Sequence, residues 1–179
     1  MKLNGKVILT KIKQKGKNSM STNRKETTQM LSKLTEKLIN PTCDPRIYWA
    51  KEVTFDYGTQ NQKRVDYMRF KPINNSVSGI EHGDFYCYEI KSSVEDFSSP
   101  NGHNMFGDFN YYVMPEDVYK TIQKQIPYKV GVYVPTDQDI IHLKSIKKAQ
   151  RMDRKKSSLE MMLMMFRSAN RDFLLNRER

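Results

Sequence analysis

The run Phe85-Tyr86-Cys87-Tyr88-Glu89-Ile90-Lys91 and the residues on either side of it constrain this chain more than any other feature. Its alternating side chains predict a strand over Phe85–Lys91. Ser93, with Asp96 three residues later, forms a capping pattern that starts a helix immediately afterwards, and Pro100-Asn101-Gly102 ends it. Phe109 to Met114 then predicts another strand. Pro115 opens a helix to about Ile126, followed by strands over Tyr128–Val134 and Ile140–Leu143.

Upstream, a helix carrying Met30, Leu31, Leu34 and Leu38 ends before Asn40-Pro41, because a residue preceding proline avoids the helical region. Pro45 is expected to open a short helical turn through Trp49. Glu52–Phe55 and Arg64–Phe70 are strand-like, with Ile73 to Gly83 as a loop between the second strand and the third. Strands joined by short polar loops, followed by alternating strand and helix, indicate one mixed α/β domain. The expected architecture is a mixed central sheet flanked by helices, with a C-terminal helix from the Ser157/Glu160 cap onward. Its apolar positions are Leu159, Met162, Leu163, Phe166, Ala169 and Phe173.

Charge is distributed unevenly. The net value is +11, yet residues 1–18 hold six lysines and no acid, while 144–179 hold eleven Lys/Arg against four acids. The remainder is slightly acidic. This divides the chain into a basic arm (1–19), an α/β domain (20–143) and a basic connector with a Met-rich helix (144–179). Basic ends around an acidic body suit a protein that binds a polyanion through a carboxylate site. Solubility alone is the plainer explanation of the same charge. The two cysteines, Cys43 and Cys87, have no metal-type spacing, and no run is long enough to span a membrane or form a signal-peptide core. An intracellular, cytoplasmic protein is expected.

On a strand, residues i and i+2 share a face, so Glu89 and Lys91 point together with Cys87, away from Tyr88 and Ile90. If the second and third strands pair, Asp66 approaches Glu89. Two adjacent carboxylates repel unless a cation lies between them, and hard oxygen ligands suit Mg²⁺. A lysine beside them supplies positive charge for phosphodiester hydrolysis. For the Glu-x-Lys triplet taken alone, a solvated same-face ion pair is the simpler reading.

The arrangement Asp66 … Glu89-Ile90-Lys91, with "EIKSSVEDF" leading to "GDFNYYVMP", resembles the PD-(D/E)XK nuclease superfamily, in its bacterial DNA-repair and phage-encoded branch. The resemblance runs from about Trp49 to Val134, with Val65 where the family has proline. It implies a restriction-endonuclease-like fold and a Mg²⁺-dependent nuclease acting on DNA, with Mn²⁺ as a substitute. Asp66, Glu89 and the Ile90 backbone carbonyl would be metal ligands, Glu52 a further one, and Lys91 the catalytic lysine.

Lys144, Lys147, Lys148, Arg151, Arg154, Lys155 and Lys156 are the expected phosphate contacts. Six of them, all but Lys156, are spaced to share one helical face. A solvated helix face is the alternative. Met161, Met162, Met164 and Met165 suggest a docking surface for a protein partner, with core packing accounting for Met162, and a homodimer is compatible with it. His103 reads as a loop histidine. The rival functional class is a non-cleaving module of the same fold that grips DNA or blocks a host defence protein.

Overall fold

The computed structural model describes residues 24–136 and 142–177. Helix α1 covers residues 24–39. The sheet strands are β1 (Tyr48–Phe55), β2 (Lys63–Lys71), β3 (Asp84–Ile90), β4 (Phe109–Val113), β5 (Gly131–Pro135) and β6 (Leu143–Lys147). Between them lie α2 (Val77–Glu81), α3 (Val94–Ser98) and α4 (Glu116–Ile122), and α5 (Ser158–Arg177) follows. The expected basic arm, 1–19, is outside the described residues, and β6 runs through the expected boundary at 143/144. No described helix is long and apolar enough to cross a membrane.

The six strands stand in the sheet in chain order. β1, β2 and β3 form an antiparallel meander, β3, β4 and β5 are parallel, and β6 returns antiparallel to β5. The parallel pairs follow from α3 and α4, because parallel neighbours need a crossover. Ser93 caps α3 as its spacing predicts, its hydroxyl accepting from the Asp96 amide at 3.2 Å.

Helices cover both faces. On one, Ala50, Val53, Phe55, Met68, Phe70, Phe85 and Cys87 pack beneath Met161 and Met165 of α5. Farther along that face, Tyr112, Met114, Val132 and Val134 meet Phe97 of α3 and Val118 and Ile122 of α4. On the other, Tyr67, Tyr88 and Ile90 pack against Leu31 and Ile39 of α1. The split of β3 between Cys87 on one side and Tyr88 and Ile90 on the other is the one its alternation predicts.

Several local expectations need correction. Residues 45–47 form a turn without helix, and β1 starts at Tyr48. The 73–83 loop contains α2, capped by Ser76. The sixth strand begins at Leu143, where the sequence places its end.

The α5 face is also different. Leu159, Leu163, Phe166 and Phe173 are exposed, whereas Met161, Met165 and Ser168 are buried. The reason is polar as well as apolar. Ser168 Oγ donates to the carbonyls of Lys51 and Glu52, and Arg171 reaches the same two carbonyls. These ties turn the Met161–Met165–Ser168 side inward, where flexible thioethers fill the space over β1. Two of the four methionines expected at a docking surface are therefore core residues. Burying each contributes about 1.5–3 kcal/mol relative to exposure.

Candidate active site

β3 changes partners at its C-terminal end. The β2–β3 ladder runs from Lys71↔Asp84 to Tyr67↔Tyr88 and stops there. The next register position would set Asp66 opposite Glu89. There the Ile90 amide donates instead to Asp66 Oδ2 at 2.8 Å, and the Lys91 amide donates to the Val113 carbonyl of β4 at 2.9 Å. A side-chain carboxylate thus stands where a ladder carbonyl would otherwise accept. Glu89 is opposite Tyr112 on its other side.

The burial of this group is its main chemical property. Glu89 is 1% exposed and Lys91 2%. Both Glu89 carboxylate oxygens are buried without a hydrogen-bond partner. Leaving such a group unpaired costs several kcal/mol if it is charged. Burial, and then the neighbouring Asp66 charge, push the Glu89 carboxyl up to about 9, against the pull of Lys91 and the nearby Asn104 amide. Burial also raises Asp66, with the Ile90 amide opposing it, and lowers Lys91, with Asp96 opposing.

Lys91 is held from above. Its Nζ donates to the carbonyls of Asn101 at 2.6 Å and Asp96 at 3.3 Å. Gly102 sits at φ +68°, and a Cβ there would lie 2.8 Å from Lys91 Nζ and 3.2 Å from Glu89 Oε2. Only glycine allows both this backbone conformation and this approach. The loop is fixed by its neighbours. Asn104 Nδ2 donates to the Arg64 carbonyl at 2.8 Å. His103 Nε2 faces the carbonyls of Phe97 and Ser99, so it carries the proton, and Nδ1 accepts from the Tyr112 hydroxyl at 2.6 Å. His103 is therefore a bonded anchor of the loop.

Glu52 completes the row across the strands. β1 pairs Lys51 with Tyr67 and Val53 with Val65, so Glu52 faces Asp66 at the one position where pairing is broken. Its φ is +55°. Core-facing residues step by three at this point, from Ala50 to Val53 on β1 and from Val65 to Met68 on β2, which interrupts the alternation of both strands. The Glu52 carboxylate is bound by Arg64 at 2.7 Å and half-exposed.

Asp66, Ile90, Lys91 and Glu52 line a cleft of about 610 Å³; Glu89 is not part of its wall. Arg24, Lys51, Lys63 and Arg64 surround the same cleft. None of these four stands out in the sequence, because they come from three separate elements, α1, β1 and β2, and only folding gathers them. Among the described residues, no three His, Cys, Asp or Glu side chains assemble as a metal-binding group.

The C-terminal basic series is arranged differently from the expected helix face. Lys144 and Lys147 belong to β6, and residues 148–154 have no helix. This connector is an extended strap. The Gln150 and Met152 amides donate to the carbonyls of Lys129 and Asp108. Arg151 binds Asp84 and Asp108, and Arg154 binds Asp108 at 3.3 Å. Lys144 pairs with Glu116, Lys147 donates to the Pro127 carbonyl, and Lys156 pairs with Asp56 and Glu160. Lys148 and Lys155 are exposed. Asp84 begins β3 and Glu89 lies near its end, about 17 Å away at strand rise. Arg151 thus serves the opposite end of the sheet.

No family model, curated protein or solved structure matches this chain.

Proposed function

We propose that this chain is a metal-dependent nuclease of the PD-(D/E)XK type, phage- or mobile-element-associated, with a restriction-endonuclease-like fold, hydrolysing DNA phosphodiester bonds. The observation that carries the reading is the orphaned Glu89 carboxylate, buried beside Asp66 and Lys91 at the end of β3. A partnerless buried carboxylate next to a second one is an unfavourable arrangement for a structural role alone.

The donor set fits Mg²⁺, or Mn²⁺ in its place. Such an ion takes one or two carboxylates, keeps several waters and needs no cluster of three acids. Asp66, Glu89 and the Ile90 carbonyl would hold it; Glu52 is engaged by Arg64 and would at most contribute through water. When bound, the ion supplies Lewis acidity and a deprotonated water. The chain's own residues do the rest. Lys91 places a cation beside the scissile phosphate, stabilising charge that develops on its oxygens. Asn101 and Gly102 fix the lysine's reach, and the Ile90 amide holds the orientation of Asp66.

The test is nicking or cutting of supercoiled plasmid by the wild type and Lys91→Ala, in Mg²⁺ or Mn²⁺ and in EDTA. Metal-dependent cleavage that disappears in the variant is expected. A second reading, a non-cleaving DNA-binding module, is favoured by one observation: Lys91 is held by two backbone carbonyls while Glu89 is absent from the cleft wall. Failure to cleave any DNA or RNA form would select it.

A further inference from the structure

We infer that the rim of the cleft formed by Arg24, Lys51, Lys63 and Arg64 grips the phosphate backbone of a nucleic-acid duplex without base stacking. The inference rests on the reading of the cleft as a site for nucleic acid. It replaces the C-terminal strap as the phosphate-binding element and adds the form of the substrate.

Placement is the first argument. The four cations come from α1, β1 and β2 yet border one opening, above Asp66 and Lys91. The strap residues Arg151 and Arg154 are tied to Asp84 and Asp108 at the far end of β3.

Availability is the second. The Arg24, Lys51 and Arg64 side chains are 51%, 46% and 58% exposed, and their partners are Asp96, Glu36 and Glu52. Ion pairs this exposed are worth about 0–1 kcal/mol and exchange readily for a phosphate. Lys63 is exposed and has no ion-pair partner among the described residues.

The cleft lining supplies the third. Tyr67 is its one aromatic residue, and that side chain is 5% exposed with its hydroxyl bonded to Glu36. Apart from Ile90, Pro100 and Gly102, the remaining wall is charge, hydroxyl and amide. Proteins that hold single strands stack bases on accessible aromatic rings, and among the described residues no such ring lines this cleft. Cations spread around an opening without a stacking platform match a duplex, whose phosphates face outward and whose bases are already stacked.

The experiment measures binding of the full chain in EDTA, which prevents cleavage. The probes are a fluorescent 20-base-pair duplex and its single strand, followed by anisotropy between 50 and 200 mM salt. The duplex is expected to bind more tightly. Replacing Arg24, Lys51 and Lys63 together by Ala should reduce the slope of log K against log salt by about 2 to 3, near 0.9 per lost contact. Lys148→Ala/Lys155→Ala should leave it unchanged. If the triple variant does not fold, Lys63→Ala alone should still lower the slope by about 0.9. Tighter binding of the single strand, or a slope unmoved by the rim variants, overturns the inference. Plasmid cleavage with an unmoved slope overturns the rim and leaves the nuclease reading standing. Rim-dependent binding without cleavage does the reverse, and wild type that binds neither probe overturns the rim.

Discussion

Glu52 and Asp66 face each other across the β1–β2 ladder at its single broken pair, and Glu52 holds a left-handed backbone there. For a residue with a Cβ this conformation costs about 1–2 kcal/mol. It is maintained by Ser168 and Arg171, which bind the carbonyls on either side of the kink. Glu52→Gly should therefore keep or raise stability, by up to about 1 kcal/mol, while removing a carboxylate from the cleft. Urea unfolding checks the first effect. A loss of 1 kcal/mol or more would show that the left-handed geometry is not strained.

Gly102→Ala introduces a methyl group 2.8 Å from the Lys91 ammonium, at a φ of +68°. Stability should fall by about 1–2 kcal/mol. Metal-dependent cleavage should fall at least about tenfold, because Lys91 must move. Gly102→Ala with wild-type cleavage would show that the lysine's position under the loop is immaterial.

The pH dependence of stability carries a definite sign. Glu89 titrates near 4.5 in an unfolded chain and is pushed up to about 9 by burial. The native state therefore holds a proton that the unfolded state has released. The contribution is complete below 4.5 and is lost as pH rises toward 9, at no more than about 1.4 kcal/mol per pH unit. Without metal, the protein should lose stability across this window, and Glu89→Gln should flatten the loss. Denaturant midpoints at pH 5, 7 and 8.5 test this; a wild-type midpoint constant with pH contradicts it. Bound Mg²⁺ should oppose the trend, since it requires the deprotonated form.

Asp108 anchors the strap. Its buried carboxylate accepts from the Phe85 amide at 2.8 Å and pairs with Arg151 and Arg154. Both guanidinium groups also lie over aromatic rings, Arg151 over Phe109 and Arg154 over Phe85. Asp108→Ala should destabilise the fold by about 2–3 kcal/mol, the partly exposed arginines limiting the effect. Thermal or chemical unfolding measures it. DNA-binding salt slopes should stay unchanged, because the strap is away from the cleft.

Much of this architecture was legible in local patterns. β3, α3 and β4 are delimited by alternation, a capping serine and apolar continuity, all of which act within a few residues. The approach of Asp66 to the end of β3 was legible too, because consecutive strands joined by a modest loop usually neighbour each other. What escaped depends on distant contacts. α5 has apolar residues on more than one side, and the choice of Met161 and Met165 over Leu163 and Phe166 is made by carbonyls more than 110 residues away. The strap's arginines have helical spacing, yet Asp84 and Asp108 hold them extended. The cationic rim has no signature at all, since Arg24, Lys51 and Lys63 meet only in three dimensions.

Strand order that equals chain order has a consequence for how the site is built during synthesis. Asp66 and the Ile90 amide that binds it are 24 residues apart, so the emerging chain can bring them together as soon as β3 leaves the ribosome. The ties that hold the Glu52 kink come from Ser168 and Arg171, translated 116 and 119 residues after it. The carboxylate pair and its geometric refinement therefore belong to different stages of synthesis. A nascent chain carries the ingredients of the site well before it carries the finished shape.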